Sequence, residues 1–555
     1  LIYYNISLDI IYIGKDCNIL KIDDCEGRYM RKYKAIIGFV LILSIITGFI
    51  QAKSYDLTDT RVFLLRNVYE IENNGVNTVY NVSIKVLLGA NSDSAYQNCL
   101  DYSVNLTPRS VDTDSYGNNY ARIDIMALKP GEKINIAVDR TLENSSISFD
   151  KNLYKLDLNY DGFFKSPSHY KYILPGEKVE SDDLRIKKKA EDIAGKGTPM
   201  KKARSIYDFV NLHIDYNEDS KHANKGALSG LINKEGVCGD YASLFTAICR
   251  AAGIPSRVVS GYWHEGRFRE EQWVDVSNMK HSWSEFYLPS IGWIPVEPTF
   301  LYYYNGKRVP SEKHFARIEK DSRHFINNYV ANKIENDIDV QYSFYESSGT
   351  SLKLSLKEEK IKLIKKNSQD LVKNALSDIE NNWAKEYIEE LFRKGIVFPR
   401  EKMLYKPNSH ITRAEFAAYI VNVMGIEQIK SKEEYKDLPS THPLARHVAA
   451  ATEVKFIEGY NGYYYPDQSI TREDIAVIMG RVLDYLKVDR DKNLELRFND
   501  KDLISSYALA SVKAMDALSI MKGKPGNIFA PKDFATRAEA AKVIFEFREL
   551  LRDII

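Results

Sequence analysis

Cysteine is scarce, five in 555 residues, and the set is too sparse to form a disulfide framework. Stability must therefore come from packed cores. Net charge is almost absent: 77 basic residues stand against 76 acidic ones. That balance excludes a general pull toward nucleic acid or an anionic membrane surface. The apolar run Ala35 to Ile50 is 16 residues, short for a bilayer span. No spacing of His, Cys, Asp or Glu marks a metal site, and nothing indicates a cofactor. What is present is a globular composition, 44% hydrophobic and 28% charged, in a chain too long for one core.

The first methionine is Met30. Arg31, Lys32 and Lys34 lead into the apolar run, and Gln51-Ala52 offers a small residue for cleavage. This is a secretory signal-peptide pattern over 30–52, with an uncleaved membrane anchor as the alternative. Translation is expected to start at Met30, because the Glu26-Gly27-Arg28 codons can spell a purine-rich ribosome-binding run. Residues 1–29, with Cys17 and Cys25, then fall outside the protein. The secreted chain keeps Cys99, Cys238 and Cys249, with no stable membrane span after cleavage.

Residues 53–180 read as strands. Val82, Ile84, Val86 and Leu88 share one side of a strand, as do Ile134, Ile136 and Val138. Turn signals at Asn74-Gly75, Pro130-Gly131 and Pro175-Gly176 separate them, which predicts an antiparallel β-sandwich. From about Asp183 the period changes to helical, then strand-like "SRVVSGYW", "HSWSEFYL" and "GWIPVEPT" follow. This predicts an α+β domain over 181–350. A Lys/Glu-rich connection, 351–375, leads to a marker that repeats: Thr-Arg-x-Glu/Asp at Arg413, Arg472 and Arg537. These arginines are 59 and 65 residues apart, which predicts three helical repeats at 376–430, 431–490 and 491–555.

"GVCGDYASLFTAICRAAGIP" carries the chemistry. Tyr241, Leu244, Phe245, Ile248, Cys249 and Ala252 form one helical stripe ended by Gly253 and Pro255, so Cys249 reads as a core residue. Cys238 falls in the first turn, where unpaired N–H groups and the helix dipole favour a thiolate. Spacing alone leaves nucleophile and buried structural thiol equally open. His281 and Glu297 lie on the two strands of a hairpin, where a base and an orienting acid can meet.

With these residues in view, 181–325 resembles the transglutaminase-like superfamily, whose fold is a papain-like α+β core. The resemblance implies Cys238 as nucleophile, His281 as general base/acid and Glu297 as orienting carboxylate, with Tyr216 as oxyanion donor beside the Cys238 N–H. The family pattern has Asp where Glu297 stands; Asp275 is a possible substitute. The implied activity is attack on an amide of a protein or peptide, as peptidase or amidase rather than crosslinker. The alternative is a structural or binding protein of the cell envelope with weak or lost catalysis.

Thr412, Thr471 and Thr536 open capping boxes, with Asp474 as the variant in the second. Helix-start chemistry explains Thr and Glu but not the arginine each time, and arginines at helix N-termini suit an anion. The three segments resemble S-layer homology repeats. The resemblance implies non-covalent anchoring to an acidic, often pyruvylated, secondary polysaccharide of a Gram-positive-type cell wall. It carries binding to Arg413, Arg472, Arg537, Asp437 and Asp500, and less clearly to Asp378. The expected whole is a β-sandwich, a papain-like α+β core and all-α repeats, on the outside of the cell.

Overall fold

The structure, a computed structural model, describes residues 55–554 apart from 91–93, 159, 161–163, 165–166, 290, 321, 331–339, 345–347, 365–375, 402–403, 427–434, 440–441 and 489–494. The expected signal peptide and start site lie outside the described residues.

Period-2 alternation builds the first region. Strands β1 (Tyr55–Asn73), β2 (Val79–Ala90), β3 (Gln97–Val104), β4 (Ser110–Thr113), β5 (Asn118–Leu128) and β6 (Lys133–Phe149) form it. Val82, Ile84, Val86 and Leu88 all point inward, joined by Ile136 and Val138, in a core that β1, β2, β5 and β6 share.

The chain then forms β7 (Asp215–Tyr216), β8 (Glu235–Gly236), β9 (Ser256–Glu265), β10 (Trp273–Asp275), β11 (Lys280–Leu288) and β12 (Gly292–Val296). After these come β13 (Tyr302–Tyr304), β14 (Lys307–Val309), β15 (Arg317–Ile318), β16 (Ser322–Val330), β17 (Val340–Ser343) and β18 (Leu352–Leu363). One sandwich sheet runs β10-β18-β1-β6-β15, with β3 also on β6; the other runs β17-β2-β5-β4. Residues 53–180 therefore do not close these sheets alone. The stretch read as a connection, 351–375, contains β18, which pairs with β1 from Leu352↔Asn73 to Leu363↔Phe63. Its lysines and glutamates hide an alternation in which Ile361 and Leu363 are buried. A partner on that side spares β1 from being an open edge.

Helices α1 (Leu184–Ala194), α2 (Pro199–His213), α3 (Ala227–Asn233) and α4 (Cys238–Ala251) precede a four-stranded antiparallel sheet ordered β12-β11-β9-β16. Asp183 and Thr198 cap α1 and α2, the latter with Pro199 in the first turn. The stripe Tyr241, Leu244, Phe245, Ile248 and Cys249 is wholly buried between these helices and the sheet.

The C-terminal part holds α5 (Lys385–Arg393), α6 (Arg413–Val423), α7 (Ala445–Glu453), α8 (Arg472–Tyr485), α9 (Leu509–Ala517) and α10 (Arg537–Ile554) around one shared core. Short β-bridges join the repeats as well, at His410↔Thr536, Thr412↔Ser469 and Thr471↔Phe534. Backbone bonds run in a cycle: Ile411 N–H to Ala535 O, Ala535 N–H to Ile470 O, and Ile470 N–H to Ile411 O. The three repeats thus close as a ring. Among the described residues no helix is long and apolar enough to cross a membrane.

Candidate active site and repeat interfaces

Cys238 is the first residue of α4, and the turn before it is locked by Asp240. The buried Asp240 carboxylate accepts the N–H groups of Asn224, Gly226 and Val237 at 2.8, 2.8 and 2.9 Å. Gly236 is required here, since a Cβ would lie 2.6 Å from Asp240 Oδ2. The short parallel pair β7–β8 sets Tyr216 beside Gly236, so Tyr216 stands near the thiol. Its hydroxyl donates to Glu218 at 3.2 Å. Burial raises the Tyr216 pKa, and Cys238 adds to the shift.

His281 is the second residue of β11, opposite Gly261 on β9, and Glu297 follows β12. Nε2 of His281 donates to Glu297 Oε2 at 2.5 Å. Burial works against charge on His281, but Glu297 and the hydrogen-bonded thiol of Cys238 outweigh it and push the imidazole up to about 10. Burial likewise favours a neutral Glu297, yet His281 and a second imidazole hold its carboxyl well below the usual range. Phe300 stacks on the His281 ring, 5.4 Å between centroids and 1° between planes, and Trp263 packs on Phe300 at 4.6 Å.

The second imidazole is His324 on β16, which the sequence reading did not single out. Its Nε2 donates to the same Glu297 Oε2 at 3.1 Å. The ligand atoms of His281, Glu297 and His324 lie within 4.8 Å of one another, close enough for a metal ion, a grouping that sequence spacing did not reveal. The 2.5 Å separation is that of a charge-assisted hydrogen bond; two ligands around one tetrahedral zinc stand roughly 3.3 Å apart. His314 packs against Phe300 at 4.9 Å. Asp275 is not part of the site: it sits in β10, paired to Lys360 of β18, and its carboxylate accepts the Ser277 N–H and hydroxyl.

In the repeats each arginine reaches the next repeat round the ring. Arg537 donates to Tyr405 O at 2.7 Å, Phe398 O at 2.6 Å and Glu415 at 2.5 Å. Arg472 donates to Phe529 O at 2.8 Å, Lys522 O at 3.2 Å and Glu539 at 3.4 Å. Arg413 donates to Tyr464 O at 2.9 Å and Glu458 O at 3.2 Å, and has no carboxylate partner among the described residues. The first and third capping boxes close reciprocally, Thr412 with Glu415 and Thr536 with Glu539. Asp437 and Asp500, expected as polymer ligands, hold the turns before α8 and α10. Asp437 accepts the N–H groups of Tyr464 and Tyr465, and Asp500 those of Phe529 and Ala530. Asp378 does the same for Tyr405 and Lys406. The second residue of each pair has positive φ, a turn that needs such a clamp.

Comparison with known proteins agrees with this division. The family model described as the transglutaminase-like superfamily matches residues 187–298, and that of the S-layer homology domain matches 375–417, 434–476 and 497–541. The chain carries a transglutaminase-like core and three S-layer homology repeats. It is 37% identical over 174 residues to exoglucanase XynX of Acetivibrio thermocellus, 31% of this chain and 16% of that protein. It is 29% identical over 147 residues to the cellulosome-anchoring protein of the same organism, 25% of this chain and 32% of that one. The chain thus spans less than a third of the length of either relative. Among solved structures, a putative cysteine protease from Cytophaga hutchinsonii aligns at 15% identity, covering 56% of this chain and 99% of that one, with a TM-score of 0.36.

Cys238, His281 and Glu297 lie together with His324, and Cys99 and Cys249 lie elsewhere. Cys249 is buried in the α4 stripe, and burial raises its pKa well above that of a free thiol. Burial pushes the Cys99 thiol up to about 11. Iodoacetamide on the folded chain near neutral pH should consequently label Cys238 first. Peptide mass mapping checks this, and equal labelling of Cys99, Cys238 and Cys249 would contradict the packing described.

Proposed function

We propose that the protein is a cell-envelope cysteine enzyme that cleaves amide bonds of a protein or peptide. The observation that carries this reading is the buried imidazole of His281, held between Cys238 and Glu297. In the reaction Cys238 Sγ, as thiolate beside imidazolium His281, attacks the amide carbonyl carbon. The oxyanion collapses, the C–N bond breaks, and the His281 proton goes to the leaving nitrogen. His281 then takes a proton from water as the water oxygen displaces Cys238 Sγ, restoring both groups. Tyr216 and the N–H of Cys238 at the helix start are the oxyanion donors in this reading. Hydrolysis is favoured over crosslinking because water far outnumbers free amines outside the cell.

The S-layer homology repeats would hold the enzyme on an acidic wall polysaccharide outside the cell. The likeness to a cellulosome-anchoring protein supports that location, and the charge on Arg413 suits an anionic sugar.

The test is alkylation of Cys238 from pH 4 to 9, with and without His281→Ala. Labelling faster than a free model thiol below pH 7, slowed by the substitution, supports the activated pair. Labelling no faster than a free thiol in the folded chain would leave a wall-bound scaffold as the better reading.

A further inference from the structure

Glu297 is gripped by three donors. Oε1 accepts the Thr299 N–H at 2.9 Å, and Oε2 accepts both His281 Nε2 at 2.5 Å and His324 Nε2 at 3.1 Å. A glutamate has one more rotatable bond than an aspartate, so its carboxylate needs more restraint to stay against an imidazole. His324 supplies that restraint from β16, beyond the 187–298 match to the transglutaminase-like superfamily. Its strand is set by pairing with β9, where His324 faces Trp263. Its ring is fixed edge-on by Trp283, 4.9 Å between centroids at 76°, and its carbonyl accepts from Asn144 at 2.8 Å. Only 2% of His324 and 3% of Glu297 is exposed, so no water competes for this bond.

We infer that His324 is a positioning residue of the active site, holding Glu297 Oε2 against His281 so that the other ring nitrogen is presented to Cys238. It touches no substrate and acts through Glu297. The titratable groups that face this cluster are Cys238 on α4, Tyr207 on α2, His314, and the three members themselves. The inference rests on the enzymatic reading given above.

The experiment follows Cys238 alkylation from pH 4 to 9 in the full-length chain, with thermal midpoints measured alongside. His324→Ala should slow labelling at pH 6 roughly ten-fold and move the profile toward that of a free thiol. His324→Gln, whose amide can still donate to Oε2, should restore most of the rate. Should the alanine variant not fold, His324→Phe fills the space without a donor and is read in the same way. An unchanged pH profile with only a lowered midpoint would make His324 structural and overturn the inference. So would a glutamine variant no better than alanine. These outcomes are distinct from failure of the enzymatic reading, in which the unsubstituted Cys238 would itself label like a free thiol, and which would overturn both.

Discussion

Replacing Glu297 with alanine should remove about 3 kcal/mol of stability at pH 6, because it strands a buried imidazolium without its partner. The sign of the pH dependence follows from the two shifts. His281 is raised to about 10, so its contribution is full below the unfolded value near 6.5 and fades as pH rises through the folded one. Glu297 is lowered from 4.5, so its contribution is full above that value and fades as pH falls through the depressed one. The difference between native chain and variant should therefore be largest between about pH 4.5 and 6.5, and should shrink toward pH 10. Denaturant titrations at pH 6 and 9.5 measure it; a difference that does not change with pH would refute the ion pair. Glu297→Gln keeps shape and an acceptor, so it should lose less stability while still losing fast alkylation below pH 7. Glu297→Asp restores the residue of the family pattern but withdraws the carboxylate by about 1.5 Å from a 2.5 Å contact. In this chain it should slow Cys238, since Thr299 and His324 are placed for the longer side chain.

The helix that carries Cys238 and Cys249 was legible because short-range signals mark it. Helical periodicity separated Cys249, at one turn after another of apolar residues, from Cys238 at the helix start, and the fold keeps that distinction. Assigning Glu297 needed the family resemblance, because a lone glutamate after a strand carries no signal of its own. His324 was out of reach: it is one of ten histidines, and only the pairing of β16 with β9 brings it to Glu297. Strand β18 was missed for a different reason. Its outward residues are charged, and density of charge outweighed a period-2 pattern that only the edge of β1 makes meaningful. In the repeats the helix starts were visible as capping boxes, whereas the fate of each charge was not. Whether an arginine binds a ligand or a neighbouring repeat depends on ring closure, which is a long-range property.

That ring predicts opposite consequences for two arginines that look equivalent in sequence. Arg537 is 0% exposed and donates to two carbonyls and Glu415 of the first repeat, so Arg537→Ala should cost about 3 kcal/mol. Because the repeats share one core and a cycle of backbone bonds, the loss should lower the melting of all three together. Arg413 is only partly buried, and its counterpart acid is one methylene short. Asp474 stands where the other repeats have Glu415 and Glu539, and it takes the hydroxyls of Thr471 at 2.6 Å and Tyr507 at 3.0 Å instead. Arg413 thus has no carboxylate partner among the described residues; its guanidinium lies over the Tyr464 ring, 4.9 Å from the centroid, and donates to the Tyr464 and Glu458 carbonyls. Arg413→Ala should cost only about 1 kcal/mol of stability but weaken sedimentation with purified cell walls roughly ten-fold or more. Equal loss of wall binding in Arg413→Ala and a folded Arg472→Ala would contradict this assignment, because the Arg472 charge is already answered by Glu539. Among the described residues the ring answers Arg537 with Glu415 and Arg472 with Glu539 and leaves Arg413 without a carboxylate, which is why the two substitutions should differ.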